Sequence, residues 1–265
     1  KAASAIHVPT LMDSIDITYF GHTVALPDLP EYQKFYAKLR AEIWEPKTFA
    51  TLKEFLDKDT IYVDIGGWIG VTPFWASHLA KRVITVEPDP KCRAILKALA
   101  PRYSNVTVIE GALSPDKALK INAVAGFGSS ETSALAIGDG EAVAVPGLSI
   151  VQVMPPTEEG PVFVKVDIEG YEYVIADEIA KLSRYRVKGL QVAVHPHLYA
   201  RTLEGPKVLR RFKAAAATRE LARRLAPASC ALDMAPYASL SHYLWRSILL
   251  RGSPKGTDFL YRAAT

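Results

Sequence analysis

The stretch that decides the fold of this chain is Ile61-Tyr62-Val63-Asp64-Ile65-Gly66-Gly67-Trp68-Ile69-Gly70. Its first half is a short apolar run, which predicts a buried strand. Its second half is rich in glycine, which lets the backbone turn sharply and lets a ligand come close to the peptide groups. The helix that we predict from residue 71 would direct its free N–H groups at that ligand. The stretch therefore predicts a strand, a ligand-binding turn and a helix in succession.

Strands and helices alternate along the chain on both sides of this turn. We predict strands at residues 61–65, 82–86, 106–110, 161–167 and 189–195, and helices at residues 71–80, 90–99 and 171–182. This alternation is typical of a parallel sheet with right-handed crossovers. Residues 118–150 consist of short apolar pieces broken by glycines, and we expect an antiparallel excursion there. A closing strand is expected at residues 258–262.

The two ends of the chain fall outside this alternation. Residues 16–26 alternate in polarity around a central glycine, which predicts a hairpin. Residues 31–56 have apolar residues at helical spacing, with an interruption at Pro46. Near the other end, residues 206–225 predict a strongly amphipathic and basic helix.

The length of 265 residues suits one α/β domain with additions at its ends. We divide the chain into an N-terminal hairpin and helical extension, residues 1–58, and a Rossmann-like domain, residues 59–265, whose C-terminal helical segment shapes the substrate pocket. The two cysteines, Cys92 and Cys230, are too few for a disulfide framework, which favours a reducing compartment and a cytoplasmic location. The first residues lack the apolar core of a signal peptide, and no run of about 18 apolar residues predicts a membrane span.

The net charge of +4 is mild, but basic residues concentrate near the C-terminal end. Between Arg201 and Arg251, eight basic side chains are opposed by three acidic ones. One interpretation is a solvated helix face. The other is attraction of an acidic acceptor, such as a phosphorylated or uronic-acid sugar or a nucleic acid. No nucleic-acid-binding motif accompanies the charge, which disfavours the nucleic acid.

Carboxylates before and after the glycine turn restrict the kind of cofactor that it can hold. The glycines do not match the dinucleotide fingerprint, and the Asp64 carboxylate would repel a pyrophosphate. It would not repel a cofactor that carries a positively charged amino group and a sulfonium. Glu87 ends the next strand about 20 residues after the turn, where a carboxylate can accept both ribose hydroxyls. Residues 110–112 follow the third strand, and we expect them at the adenine edge.

Polar residues also follow the last two parallel strands. Asp167 ends the fourth predicted strand and Glu169 follows it, at the same sheet edge as the glycine turn, and Lys165 lies within that strand. A buried lysine is unusual unless it is paired, so we expect Lys165 to face a carboxylate. His195 and His197 follow the fifth strand, and histidine is the usual proton acceptor at neutral pH. We therefore expect at least one histidine to act beside the two carboxylates.

Several segments of the chain together resemble the FkbM-type methyltransferase family. They are Val63-Asp64-Ile65-Gly66-Gly67-Trp68-Ile69-Gly70, Val86-Glu87-Pro88-Asp89-Pro90, Val164-Lys165-Val166-Asp167-Ile168-Glu169-Gly170-Tyr171-Glu172 and His195-Pro196. The segment Trp44-Glu45-Pro46 resembles most those members that carry such a segment ahead of the glycine turn. The segments occur in the order and spacing of the family, and the resemblance covers roughly residues 40–200.

The resemblance implies a class I, Rossmann-like α/β fold that binds S-adenosylmethionine and methylates hydroxyl oxygens, leaving S-adenosylhomocysteine. Its sheet would be mostly parallel with an antiparallel final strand. The residues that we expect at the cofactor are Glu45, Asp64, Gly66, Gly67, Trp68, Gly70, Glu87, Pro88, Glu110, Gly111, Ala112 and Asp167. The expected acceptor is a sugar or natural-product hydroxyl, on a small molecule or a glycan, and an acidic acceptor fits the basic C-terminal segment.

For catalysis we expect His195 to accept the proton of the acceptor hydroxyl, with Asp167 orienting either His195 or the acceptor and Glu169 beside the reaction centre. A metal-assisted reaction is also open, in which Asp167, Glu169 and His195 hold Mg²⁺ or Mn²⁺ and the cation polarises the hydroxyl. Two further classes of protein are compatible with the fold: a nicotinamide-dependent oxidoreductase, which the glycine spacing and Asp64 disfavour, and a non-catalytic binding module. The glycine-rich residues 126–133 are a candidate cover for the pocket. The oligomeric state is left open.

Overall fold

A computed structural model describes residues 13–123, 141–228, 232–235 and 257–263. In chain order its strands are β1 (Ser14–Tyr19), β2 (His22–Pro27), β3 (Ile61–Ile65), β4 (Arg82–Glu87), β5 (Val106–Glu110), β6 (Ala112–Leu113), β7 (Ala118–Ala123), β8 (Glu141–Leu148), β9 (Val162–Val166), β10 (Val187–Val194), β11 (Leu232–Ala235) and β12 (Thr257–Ala263). Its α-helices are α1 (Gln33–Arg40), α2 (Pro46–Phe55), α3 (Val71–Ala76), α4 (Pro90–Leu99), α5 (Ile150–Val153), α6 (Ala176–Ala180), α7 (Pro196–Thr202) and α8 (Lys207–Ala228).

The N-terminal hairpin and helices have the predicted form. Strands β1 and β2 pair antiparallel around a two-residue turn, Phe20 and Gly21, whose φ angles of 44° and 84° match the twist of a hairpin. Pro46 separates α1 from α2 and is the first residue of α2, where its missing N–H costs no helical hydrogen bond. The interruption predicted at Pro46 is therefore the start of a second helix.

Seven of the described strands form the central sheet, in the order β5-β4-β3-β9-β10-β12-β11. The pairs from β5 to β10 are all parallel, whereas β12 is antiparallel to both β10 and β11. The order runs outward from β3 in both directions, so the chain reverses its winding after β5, where it returns to place β9 on the other side of β3. Such a reversal opens a crevice at the carboxyl ends of the parallel strands. The α/β fold class, with its mostly parallel sheet and antiparallel final strand, is confirmed.

A second, smaller sheet branches off after β5. Its strand order is β6-β8-β7, and β7 pairs antiparallel with β8. The predicted antiparallel excursion is therefore confirmed for these strands. Residues 126–133, the candidate cover for the pocket, lie outside the described residues.

Each face of the central sheet packs against its own hydrophobic core. Alternate residues of β3 show the division, since Ile61, Val63 and Ile65 belong to one core and Tyr62 to the other. The second core also contains side chains of the N-terminal hairpin, α1 and α2, such as Tyr19 and Phe49. The N-terminal segment therefore covers one face of the sheet, while the domain boundary at residue 58 stays a prediction.

Two predicted helices are shorter or broken. Helix α3 ends at Ala76 rather than Ala80, and the chain continues to Ala80 in turns. The helix predicted over residues 171–182 is wrong as a continuous element, because it consists of a 3₁₀ turn at Tyr171–Tyr173, the short α6 and a second 3₁₀ turn. The break has a local cause: Glu172 turns inward and accepts hydrogen bonds from the loop before it.

The basic C-terminal helix is present as α8, but it is not strongly amphipathic over its whole length. Its middle part buries one face, which includes Ala214, Ala215, Leu221, Ala222 and Leu225. Its first two turns instead expose Val208, Leu209 and Phe212 to solvent. The prediction of strong amphipathicity is therefore wrong for the start of this helix, where apolar side chains do not face the core.

Candidate active site

A cavity of about 430 Å³ lies at the carboxyl ends of β3, β4, β5 and β9. This volume lies within the range of small-molecule sites. The sequence-predicted residues that line it are Glu45, Gly66, Gly67, Trp68, Glu87, Pro88, Gly111, Ala112, Asp167 and Glu169. The structure thus brings most of the predicted set together, while Asp64, Gly70, Glu110 and His195 lie outside the lining.

The glycines of the turn are required by close packing within the protein. Gly66 has a φ of 100°, and a Cβ there would overlap the backbone carbonyl oxygen of Asp167. Gly70 has the same φ, and a Cβ there would overlap the Phe74 ring. The N–H groups of Gly66 and Gly67 donate to the Val86 carbonyl, at 2.9 and 3.3 Å. The turn is therefore tied to both neighbouring strands, and its shape is fixed before any ligand binds.

Three residues other than glycine line the cavity with a left-handed backbone. They are Glu45, Trp68 and Glu169, with φ angles of 45°, 48° and 53°. Side chains make this conformation unfavourable, and it persists where the surrounding structure enforces it, often at functional sites. The three lie in the segments before α2, in the glycine turn and after β9, so each of these segments brings one strained residue to the cavity.

Glu87 is nearly fully buried at the end of β4, where it faces the cavity. Its Oε2 accepts a hydrogen bond from the Trp68 N–H and its Oε1 one from the Asp89 N–H, both at 2.8 Å. Burial raises the pKa of Glu87 to about 8, although these two hydrogen bonds act in the opposite direction. Each oxygen keeps a second lone pair. Glu87 is therefore held rigidly and retains the capacity to accept two more hydrogen bonds.

The segment after β5 contributes backbone rather than its acidic side chain. Gly111 and Ala112 line the cavity, and Gly111 has a φ of 136° where a Cβ would crowd the Pro146 carbonyl. The Glu110 carboxylate instead pairs with Arg93 and Lys97 of α4, at 3.0 and 3.3 Å. A contact of Glu110 with a cofactor stays a prediction, and its side chain is already engaged with α4.

Asp64 lies beneath the glycine turn and is fully buried. Its carboxylate accepts hydrogen bonds from the Tyr62 hydroxyl at 2.9 Å and from the Thr72 hydroxyl at 3.1 Å. Burial raises the pKa of Asp64 to about 6, against the effect of Lys165 and of both hydroxyls. Asp64 therefore links β3 to the start of α3, and any effect on a cofactor would be electrostatic.

Lys165 is paired as expected. It is buried in β9, and its Nζ lies 2.9 Å from Oδ2 of Asp167. Burial alone would lower the pKa of Lys165, but the charges of Asp167, Asp64 and Glu45 raise it well above its usual value. Lys165 is therefore a buried cation that balances the buried Asp64 and the half-buried Asp167 and Glu45 at this edge of the sheet.

Glu45, from the segment before α2, also belongs to this group of charges. It immediately precedes α2 and lines the cavity. Burial raises the pKa of Glu45 to about 7, with Lys165 acting to lower it and Asp167 to raise it. The side chain is therefore close enough to respond to both charges of the pair in β9 and the following loop.

His195 follows β10 and is surrounded by three carboxylates. Its Nδ1 lies 3.1 Å from Glu172 Oε1, and its Nε2 lies 3.7 Å from Asp167 Oδ1 and 3.6 Å from Glu169 Oε2. Burial would lower the pKa of His195, but the hydrogen bond to Glu172 and the charges of the three carboxylates raise it to about 10. At neutral pH the His195 side chain in this arrangement is an imidazolium, with both ring nitrogens protonated. It can accept a proton from another group only after one of its two protons has been removed.

Glu172 is the candidate site residue that the sequence reasoning did not assign. It is fully buried, and its Oε1 accepts hydrogen bonds from the Ile168 and Gly170 N–H groups, each at 3.2 Å, as well as facing His195. It thereby fixes the loop that carries Glu169. The available signal was its place in the segment that resembles the family, directly after Gly170-Tyr171.

Aromatic residues from the N-terminal helices complete the cavity wall. Trp68 contacts Phe35 and Tyr32, with ring centroids 4.9 and 5.9 Å apart, and Trp44 lies 6.3 Å from it. All four line the cavity. Sequence reasoning assigned only Trp68 of this set, because nothing local indicates that α1 approaches the glycine turn.

Comparison with known proteins identifies the family. The family model described as the Methyltransferase FkbM domain matches residues 64–221, which is more than half of the chain. The chain therefore belongs to the FkbM methyltransferase family, as its sequence segments predict. This membership supports S-adenosylmethionine-dependent methyl transfer as the class of activity. No curated protein matches the chain.

Several solved structures are similar at low identity. A putative methyltransferase from Streptococcus mutans, solved with S-adenosylhomocysteine, is 12% identical with a TM-score of 0.47, over 82% of this chain and 96% of its own. A geranyl diphosphate methyltransferase is 13% identical with a TM-score of 0.45, over 88% and 84%. The fibrillarin pre-rRNA processing protein of Methanococcus jannaschii is 12% identical with a TM-score of 0.44, over 98% and 86%. These values are too low to transfer a substrate to this chain.

Proposed function

We propose that this chain transfers the methyl group of S-adenosylmethionine to a hydroxyl oxygen of a small-molecule or glycan acceptor. The observation that carries the proposal is that one cavity joins the glycine turn and Glu87 to Asp167 and Glu169. One part of this cavity suits a nucleoside, and the other offers polar groups to a hydroxyl. When bound, S-adenosylmethionine supplies a methyl group on a positively charged sulfur.

In this proposal the cofactor is held by residues from three strand ends. Glu87 accepts the two ribose hydroxyls with the lone pairs that its backbone partners leave free. Gly111 and Ala112 border the adenine with backbone groups, as expected from sequence. Glu45 and Asp167 are proposed to face the amino group and the sulfonium of the cofactor, because both carboxyl groups line the cavity and a nearby positive charge favours their charged form.

We place the acceptor hydroxyl beside Asp167 and Glu169, which line the cavity, with His195 Nε2 3.7 and 3.6 Å from these two carboxylates. Holding the acceptor oxygen in line behind the methyl group accounts for much of the rate enhancement of such a transfer. The hydroxyl must also lose its proton. His195 is the proposed acceptor of that proton at Nε2, after its imidazolium has released the Nε2 proton to solvent water while Nδ1 keeps its proton beside the Glu172 carboxylate, 3.1 Å away. Asp167 is proposed to orient the acceptor hydroxyl.

The kind of acceptor follows from the walls of the cavity. Aromatic rings of Phe35, Trp44 and Trp68 provide apolar faces, and Lys38 is an exposed cation at the cavity. Of the described residues of α8, none lines the cavity, so the basic helix offers an acidic acceptor no direct contact there. We therefore propose a hydroxylated small molecule or glycan with an apolar face.

Among the described residues, no helix has the length and apolar character to cross a bilayer, and the cytoplasmic location stays a prediction.

Label transfer tests this proposal directly. The protein is incubated with methyl-labelled S-adenosylmethionine and panels of hydroxylated sugars, uronic acids, polyketides, lipids, peptides and RNA. The expected product carries the label as a methyl ether on a hydroxylated small molecule or glycan. Labelling confined to a nitrogen or carbon atom, or to RNA, would contradict the proposed acceptor while leaving the methyltransferase class in place.

Substitution of His195 tests its place at the reaction centre. We expect turnover to fall by about 100-fold or more in His195→Gln and His195→Ala, since a positioned proton acceptor contributes about that much. The matched control is His197→Gln, which alters the other histidine of the same segment and should leave turnover within a few-fold. Near-normal turnover in both His195 variants would exclude the proposed role.

A further inference from the structure

We infer that Asp167, Glu169 and His195 form a binding site for a divalent cation, and that Glu172 positions the histidine for it. Each of the three offers one ligand atom, and these atoms lie within 4.8 Å of one another. The inference deepens the proposed function. The cation site itself is argued from the geometry, and only the acceptor hydroxyl on which the cation would act is taken from the proposed function. It changes the role of His195 from proton acceptor to ligand.

The spacing around Nε2 of His195 is the first argument. Its distances of 3.7 Å to Asp167 Oδ1 and 3.6 Å to Glu169 Oε2 are too long for hydrogen bonds. Two ligand atoms that each lie about 2.1 Å from one cation are separated by about 3.0 Å at an octahedral angle and about 3.4 Å at a tetrahedral angle. The gaps between the imidazole and the two carboxylates are a few tenths of an ångström wider, so a small approach of these side chains would let them share one cation.

The orientation of the imidazole is the second argument. Glu172 takes the Nδ1 side at 3.1 Å, so Nε2 is directed at Asp167 and Glu169. A histidine that binds a metal commonly donates its other N–H to a carboxylate, which fixes the ring and makes the ligand more basic. Glu172 is fully buried and held by two backbone N–H groups, so it can hold the ring without moving.

The third argument is that the two carboxylate oxygens of Asp167 have different neighbours. Its Oδ2 bonds to Nζ of Lys165 at 2.9 Å, which leaves Oδ1 on the side of His195. Glu169 reaches the same point from a backbone with a φ of 53°, an unfavourable conformation that the loop bonds to Glu172 maintain. Both carboxylates are therefore aimed at the imidazole by contacts outside the proposed site.

One imidazole and two carboxylates suit Mn²⁺, Mg²⁺ or Zn²⁺, and three protein ligands leave coordination positions open. Because Asp167 and Glu169 line the cavity, an acceptor hydroxyl could occupy one of these positions. A hydroxyl bound to a divalent cation loses its proton more readily, and with His195 serving as a ligand that proton would pass to solvent water. The cation would thus supply the activation that the proposed function requires.

Titration of the full chain with Mn²⁺, after removal of metals with EDTA, tests the site. Free Mn²⁺ is followed by electron paramagnetic resonance, and S-adenosylhomocysteine is titrated in parallel by calorimetry. We expect one Mn²⁺ per chain, at least ten-fold weaker binding in Glu169→Gln, and about 10- to 100-fold weaker binding in Glu172→Gln, which removes no ligand. Glu159→Gln, at an exposed ion pair with Arg82, is the control and should bind Mn²⁺ as the natural sequence does.

The two titrations separate the possible failures. Absence of Mn²⁺ binding up to about 1 mM, the weak end of protein sites, would overturn the cation site, as would unchanged binding in Glu169→Gln. If the chain binds Mn²⁺ but does not bind S-adenosylhomocysteine, the proposed function is contradicted and the cation site is retained. An unchanged circular dichroism spectrum and an unchanged affinity for S-adenosylhomocysteine in Glu172→Gln would show that its weaker Mn²⁺ binding is not caused by unfolding.

Discussion

At the scale of single residues, Glu87 best illustrates how burial and function meet. Its carboxylate accepts two backbone N–H groups, yet burial still raises its pKa to about 8. Near neutral pH a large fraction of the ligand-free protein therefore carries a neutral Glu87. A ribose that donates two hydroxyl hydrogen bonds favours the charged form, which has more lone pairs to offer. Cofactor binding and deprotonation of Glu87 should thus be linked.

This linkage gives a prediction for the pH dependence of binding. The dissociation constant of S-adenosylhomocysteine should decrease by about 20-fold between about pH 6.5 and pH 8.5, because the charged fraction of a carboxyl group with a pKa of about 8 rises by about that factor over this range. Calorimetry in buffers of equal ionic strength measures this. Glu87→Gln is the control for titration of the ligand itself, and its binding should be weaker and nearly flat over the same range. Equal slopes for both proteins would rule out the linkage.

Some residue-level expectations followed from sequence because one physical rule decides them. A lysine inside a buried strand must be paired, and Lys165 is paired with Asp167. Glu172 is the contrary case. A glutamate between two tyrosines shows no sequence pattern that tells whether its side chain points inward or outward. Its contact with His195 arises because β10 lies next to β9 in the sheet, which local sequence does not reveal.

At the scale of elements, the turn between β3 and α3 is shaped by its neighbours. Gly66 is required twice over, by its φ of 100° and by the carbonyl oxygen of Asp167. Gly21 in the hairpin turn also has a positive φ, of 84°, but a Cβ there would meet no atom within 4 Å. The two glycines therefore separate the cost of backbone strain from the cost of a clash with backbone.

We predict that Gly66→Ala destabilises the protein by about 3 kcal/mol or more, since strain and a clash with rigid backbone both contribute. Gly21→Ala should cost only about 1 kcal/mol, the strain of a left-handed non-glycine residue. Urea unfolding of both variants measures the difference. Equal free energies of unfolding for the two variants would show that the β3–α3 turn is not packed against the loop after β9 as described.

Strands were predicted from sequence more reliably than helices, and the reason is physical. A strand buried on both faces, such as β3 or β9, is a short apolar run that its composition alone identifies. The helix predicted over residues 171–182 broke because Glu172 serves the loop before it instead of the helix after it. The start of α8 exposes apolar side chains, so spacing alone could not describe its buried face.

At the scale of the whole molecule, the cavity depends on parts of the chain that are far apart in sequence. The Tyr19 hydroxyl bonds to the Trp44 carbonyl, and the Trp75 indole N–H donates to the Tyr19 carbonyl at 2.8 Å. These bonds connect the hairpin to the segment before α2 and to α3. Long-range packing of this kind has no local signal, so sequence placed Glu45 by resemblance and left Phe35 unassigned.

The central claim is that this assembled cavity binds a cofactor of the S-adenosylmethionine type. Calorimetric titration of the full chain with S-adenosylhomocysteine and, separately, with NAD tests it most directly. We predict that one S-adenosylhomocysteine binds per chain, with a dissociation constant on the order of micromolar, that Glu87→Ala weakens this at least ten-fold, and that NAD gives no binding heat. Binding of NAD in the absence of any binding of S-adenosylhomocysteine would contradict the account.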